Sequence, residues 1–246
     1  MIRLYENEKL KKKESLLEAL RLKHVAHPVI MLTGAGGKTA AIARLAKEYQ
    51  FQHIPVIITT TTHMMDEKTA WMLTEPSMDK AAELLRTQGR VLAGTPCAGG
   101  KIKMPEDSFF HQLIKEEYPV LIEADGAKRL PLKVPAEHEP VLVKEATHIL
   151  NVYGMDAVGE KLSRVCFRPE LASKILRCSE EHVVTEEDIA LLAMKFKEEK
   201  LKEYKDCCYY VILNKADGPE EEEKALKICR LMDAESMAGI IITGRG

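Results

Sequence analysis

No apolar run in the 246 residues is long enough to span a bilayer; the longest are of strand length. Residues 1–24 are too charged to hold the apolar segment of a secretory leader. The six cysteines form no Cys-x-x-Cys pair and show no metal-ligand spacing with histidine, which argues against a zinc site or a disulfide framework. Net charge is lacking too. The 36 Lys and Arg against 38 Asp and Glu leave a formal −2, with no overall field for nucleic acid or an anionic membrane. The one basic run, Lys11-Lys12-Lys13, is interleaved with Glu6, Glu8 and Glu14 and reads as a solvated helix face. Internal repeats and low-complexity segments are absent. What remains is the expectation of a reduced, cytoplasmic globular protein with neither a nucleic-acid nor a membrane partner. Its cysteines are mostly small core residues on this reading; Cys97, in a loop rich in glycine and proline, stands apart.

The pattern that is present alternates. Leucines at near-helical spacing predict an amphipathic helix over 8–23. Short apolar, β-branched runs predict strands at 28–32, 54–60, 90–93, 118–124, 147–152, 209–213 and 239–243. Between them lie helical stretches near 39–47, 79–87, 108–117, 169–177, 185–203 and 220–232. Such alternation implies an α/β fold: an open, mostly parallel sheet with helices on both faces, in three layers like a P-loop NTPase. We expect a single α/β domain over 1–246, with the helical stretch 156–205 as a small subdomain over one edge; its sequence gives no clear linker.

The first chemical signal is Gly34-Ala35-Gly36-Gly37-Lys38-Thr39, between a predicted strand and a predicted helix. Glycines let backbone amides curl around phosphate oxygens, and a helix N-terminus adds free donors and partial positive charge. Lys38 can reach the outer phosphates and Thr39 can place its hydroxyl on Mg²⁺, with Ala40 closing the turn. The usual spacing places a further glycine at position 32, which here is Leu32. The shorter form resembles the loop of the amide-forming cell-wall ligases, which also bind ATP. A glycine-rich turn with no ligand is the competing reading.

Val120 to Gly126 runs an apolar strand into Glu123 and Asp125. Ligands of open α/β sheets bind at the carboxyl ends of strands, so Asp125 is expected to face Lys38 and to hold Mg²⁺ with Thr39. Glu123 lies on the same side of an extended chain and is a candidate to orient a water. Lys38, Glu123 and Asp125 are therefore the candidate catalytic set; the competing reading of the acids is a solvated strand end. Lys128 and Arg129 follow, either as partners of a γ-phosphate or as surface charges. Leu130–Pro140, with three prolines, must be extended or turning, and its Glu137-His138-Glu139 is a weak metal-ligand triplet. Thr59 to Thr62 and His63 close another strand; their hydroxyls suit Mg²⁺ or a phosphate, but threonine also simply favours strands.

Asn214-Lys215-Ala216-Asp217 resembles the Asn-Lys-x-Asp base reader of GTPases and ends an apolar strand. Asp217 can accept from the ring N–H and exocyclic amine of guanine, a donor pair adenine lacks. A polar turn is the alternative. A GTPase is expected to offer a further base-contacting loop after its last strand; either Thr243–Gly246 is that loop or the loop is missing.

Taken in order, Thr33–Thr39, Thr59–His63, Glu123–Lys128, Pro131–Pro135, Asn151–Gly159, Arg168–Ala172 and Leu213–Asp217 make the chain resemble the YqeC-like family of selenium-dependent hydroxylase accessory proteins. The resemblance implies nucleotide binding and, by association, a role in maturation of a molybdenum hydroxylase together with its cofactor-loading proteins. The resulting expectation is a Mg²⁺-dependent protein that binds and hydrolyses GTP in preference to ATP. An ATP-dependent ligase or kinase on a small molecule, and a nucleotide-gated chaperone without turnover, are the alternatives.

Overall fold

The computed structural model describes residues 1–66, 68–232 and 237–244. The strands are β1 (Ile2–Glu6), β2 (Lys9–Lys12), β3 (Val29–Gly34), β4 (Val56–Thr60), β5 (His63–Met65), β6 (Met72–Leu73), β7 (Arg90–Ala93), β8 (Thr95–Cys97) and β9 (Lys101–Lys103). They continue with β10 (Val120–Glu123), β11 (Leu132–Lys133), β12 (His148–Gly154), β13 (Cys166–Phe167), β14 (Cys208–Asn214) and β15 (Gly239–Thr243). The α-helices are α1 (Leu16–Ala19), α2 (Lys38–Phe51), α3 (Met78–Gln88), α4 (Asp107–Leu113), α5 (Leu162–Val165), α6 (Pro169–Leu176), α7 (Glu186–Lys200) and α8 (Pro219–Leu231).

Ten strands form one sheet in the order β2-β1-β15-β14-β12-β3-β10-β4-β7-β6. It is parallel from β15 to β6 and antiparallel only where β1 joins β15 and β2. This is the open, mostly parallel α/β sheet that the alternating pattern implies. Helices cover both faces, so the central strands are apolar on both sides rather than alternating in and out. Along β3, Ile30 and Leu32 join the cluster under α1 and α2, while Val29 and Met31 join the cluster under α3, α4, α7 and α8. The same period of two runs through β14, where Tyr210 and Ile212 face one way and Tyr209, Val211 and Leu213 the other.

From β3 the chain crosses to β4 and β7, returns to place β10 directly beside β3, and then passes to β12, β14 and β15 on the other side. The order reverses at β3. A crevice therefore opens beyond the carboxyl ends of β3, β10 and β12, where α/β sheets take their ligands.

The N-terminus departs from its expected helix. Residues 2–12 form a hairpin turned by Asn7 and Glu8, both with left-handed backbone (φ 48 and 58). β1 lies along β15, pairing Ile2 with Thr243 and Tyr5 with Ile240, and that ladder outweighs the helical propensity of a lysine-rich stretch. The leucines still reach the core. Leu16, Leu17 and Leu20 bury through the one-turn helix α1, whose cap Ser15 accepts from the Glu18 amide. Two small sheets were not foreseen: β5-β9-β8, antiparallel, and β11-β13, parallel. No helix among the described residues is long and apolar enough to cross a membrane.

Candidate functional site

Gly37 caps α2, and Lys38 is its first residue, so the loop after β3 delivers a lysine and a helix N-terminus to the crevice together. The loop glycines are demanded by packing. A Cβ on Gly34 would strike the Val152 carbonyl, and one on Gly36 would strike the backbone of Gly154. The loop amides are partly spent as well. Gly34 N donates to Asp125 Oδ2 (3.2 Å), Ala35 N to the Val152 carbonyl (2.8 Å) and Gly36 N to the Leu130 carbonyl (3.0 Å). The donors left for a ligand are the first amides of α2, from Lys38 onward, which lack intrahelical acceptors.

Lys38 is buried. Its ammonium donates to the Gly34 carbonyl and stands 3.1 Å from Asp125 Oδ1, an oxygen that accepts no hydrogen bond. Asp125 Oδ2 accepts from the Thr33 hydroxyl at 2.9 Å and pairs with Lys133 Nζ at 3.0 Å. Lys133, whose side chain has 0% exposure, also reaches Glu139 Oε2 (2.8 Å) and donates to the Gly126 carbonyl (2.7 Å). Arg168 closes the chain with a two-pronged bond to Glu139, at 2.7 and 3.1 Å. Charges thus alternate from the loop to the start of α6: Lys38, Asp125, Lys133, Glu139, Arg168. Burial raises the Glu139 carboxyl, but the hydrogen bonds and charges of Arg168 and Lys133 more than offset it and hold the group at about 2.

Glu123 sits one step further out. Thr39, exposed at the second position of α2, donates its hydroxyl to Glu123 Oε2 at 3.3 Å. Burial pushes the Glu123 carboxyl above its ordinary value, with Asp125 adding to the effect and Lys38 opposing it. A cleft of about 680 Å³ opens over these groups. Gly36, Gly37, Lys38, Thr39, Ala40, Glu123 and Lys215 are on its wall; Gly34, Ala35, Asp125, Asn214 and Asp217 are not.

The other predicted residues divide. Asn214 Nδ2 donates to the Gly36 carbonyl (2.8 Å) and Asn214 Oδ1 accepts from Thr243 (2.8 Å), so this side chain ties β14 to the loop. Lys215 pairs with Asp156. Asp217 is exposed and lies near the backbone of Gly244; in the candidate loop 243–246, Arg245 and Gly246 lie outside the described residues. Thr59, Thr60 and Thr61 donate their hydroxyls to the carbonyls of Ala93, Glu123 and Val141, which is a structural use. Thr62 and His63 face the cleft. Of the triplet at 137–139, Glu139 is committed to Lys133 and Arg168, and among the described residues no group of three His, Cys, Asp or Glu could hold a metal ion. Lys133, Arg168 and the half-buried Phe167 were missed as site residues. The signal for Lys133 was a lysine set in an apolar, proline-bounded stretch, where a solvated charge has no place.

The fold and the cleft define an open α/β protein with a cation-walled crevice at the carboxyl ends of its parallel strands. The chain belongs to the YqeC family: the family model described as YqeC protein matches residues 30–170, which contain the loop, both acids, Lys133 and Arg168. It is 35% identical over 150 residues to an uncharacterized protein YqeC of Escherichia coli (strain K12), the match covering 55% of this chain and 55% of that relative. The aligned part thus spans about half the length of the curated relative.

Proposed function

We propose that the chain binds a nucleoside triphosphate with Mg²⁺ in the cleft above α2, and that nucleotide state serves the maturation of a molybdenum hydroxylase. The observation that carries the binding reading is the joint placement of Lys38, Thr39 and Glu123 at one helix N-terminus beside two adjacent parallel strands. The amides of α2 and Lys38 would hold the outer phosphates. Mg²⁺ fits Thr39 and Glu123: one hydroxyl and one carboxylate, with phosphates and water completing the shell, is the manner in which this ion is held. When bound, it would neutralise charge developing on the terminal phosphate.

This assignment gives Glu123 the role first expected of Asp125. Asp125 is buried against Lys133, Lys38 and Thr33, off the cleft wall, and serves as the anchor that orients Lys38. A preference for GTP rests on the bond from Asn214 to the loop, the tie expected of a base-reading element that must keep register with the phosphates. The maturation role, with a molybdenum hydroxylase or its loading proteins as partner, rests on the family resemblance.

The test is competition between GTP and ATP, each with Mg²⁺, followed by phosphate release, on wild type and Asp217→Ala. Tighter GTP binding that the substitution erases supports the reading. Equal binding of both bases, unchanged by the substitution, removes the GTP preference and favours an ATP-dependent ligase or kinase.

A further inference from the structure

Six cationic side chains reach the cleft wall: Lys38, Lys101, Lys128, Arg129, Arg168 and Lys215. Three already have a carboxylate partner: Lys38 has Asp125 and Arg168 has Glu139, both shared with Lys133, and Lys215 has Asp156. Lys101, Lys128 and Arg129 have no carboxylate partner among the described residues. The two carboxylates on the wall are Glu123 and Glu139, and Glu139 is spent on Lys133 and Arg168. The cleft therefore keeps more positive charge than the loop and Lys38 alone supply.

The backbone beneath these charges is unusual. Lys128, Arg129, Arg168 and Lys215 all adopt left-handed backbone, with φ of 48, 62, 68 and 66. Long side chains pay for that conformation, which glycine or asparagine takes more easily. Four such positions, each a lysine or arginine, converge on this cleft, while three others with the same backbone, Arg21, Lys68 and Arg177, lie off its wall. Strain of this kind gathers at ligand sites. Phe167 organises part of the cluster. Its ring carries Arg168 at 4.4 Å and Lys128 at 4.9 Å, so these two cations are held over an aromatic face.

We propose that Lys128 and Arg129, flanked by Lys101 and the Arg168–Phe167 stack, form a second anion subsite in the same cleft, on the segment whose Leu130 carbonyl accepts from Gly36 of the phosphate loop. It would take a small molecule bearing an oxyanion, a carboxylate or a phosphate, alongside the nucleotide. The inference rests on the nucleotide reading for its neighbour, but its cations and their geometry are separate from Lys38, Thr39 and Glu123.

The test uses the full chain and replaces both cations with residues suited to their backbone: Lys128→Gly with Arg129→Gly, and independently Lys128→Asn with Arg129→Asn. Both pairs should keep the wild-type melting temperature or exceed it, since the strain is relieved. Inorganic phosphate and citrate are each titrated calorimetrically, with and without a saturating non-hydrolysable Mg²⁺–nucleotide. The expected result is binding of one equivalent of anion to the nucleotide-loaded wild type, weakened about tenfold or more in both pairs, the scale of one or two lost charge-assisted bonds. Nucleotide affinity should stay the same. Citrate binding alone would identify a carboxylate subsite, and phosphate binding a phosphate subsite. Loss of nucleotide affinity in the pairs, with no second equivalent on wild type, would assign these cations to the nucleotide and overturn the subsite. If wild type binds no nucleotide yet binds anion that both pairs lose, the nucleotide reading fails and the subsite stands. If neither ligand binds, both fail.

Discussion

The Lys133 ammonium, with no exposed side-chain surface, stands between Asp125 and Glu139 at 3.0 and 2.8 Å. Removing one partner of a buried ionic set leaves the others unpaired in low dielectric. Lys133→Met should therefore destabilise the protein by about 3–5 kcal/mol, measured by urea unfolding, although methionine matches its bulk. A loss below about 1 kcal/mol would show that the network is better solvated than its burial implies. Glu123 behaves in the opposite sense. Its carboxyl lies above its ordinary value of 4.5 because burial disfavours the charge. The stability it contributes is thus fully present below pH 4.5 and lost as pH rises through its folded value. Glu123→Gln should melt higher than wild type at pH 7, with the gap closing on acidification, while weakening the Mg²⁺ dependence of nucleotide binding. A variant that melts lower than wild type at pH 7 would contradict the burial argument.

At the scale of elements, α2 does two things at once. Its N-terminus faces the cleft, and its inner face buries Ile42, Leu45, Ala46 and Tyr49 against the sheet. Leu45 is fully buried, so Leu45→Ala should cost about 2–5 kcal/mol by chemical denaturation, depending on how far the site collapses. A cost under about 1 kcal/mol would mean that α2 is not held by this face. Seven parallel strands of the main sheet, β3, β4, β7, β10, β12, β14 and β15, were legible because each is a short apolar run packed on both faces, whereas the two-residue edge strand β6 was not. Nor was the hairpin at 2–12. Lys9–Lys12 forms an exposed edge whose lysines discourage further pairing, and its alternation is masked by charge. The loop itself was legible as a strand-to-helix turn. That Gly34, Ala35 and Gly36 would spend their amides on Asp125, Val152 and Leu130 depends on partners 91 or more residues away in sequence for Asp125, and no local pattern reveals it. Arg168 and Lys133 were hidden for the same reason: each acts through Glu139, and the three come together only in the folded chain.

For the whole molecule, acid should act through one buried and one half-buried group in successive windows. His148, at the start of β12 and stacked on Tyr210, is held at about 4 by burial. Its contribution is present above its ordinary value of 6.5 and lost as pH falls through 4. Glu139, held at about 2, contributes above its ordinary 4.5 and loses this as pH falls toward 2. Unfolding free energy should decline by about 1–3 kcal/mol across each window. His148→Asn should flatten the upper decline and Glu139→Gln the lower. A single decline that neither variant alters would place the acid sensitivity elsewhere.

The central claim is that the cleft at the carboxyl ends of β3, β10 and β12 holds nucleotide phosphates through Lys38. It is tested most directly by calorimetric titration of Mg²⁺–GTP and Mg²⁺–ATP into wild type and Lys38→Ala, both shown folded by their melting curves. The account predicts one equivalent of nucleotide on wild type and an affinity lower by about 100-fold in the variant, roughly 2.7 kcal/mol. A wild type that binds neither nucleotide, or a variant that binds as tightly as wild type, would contradict it.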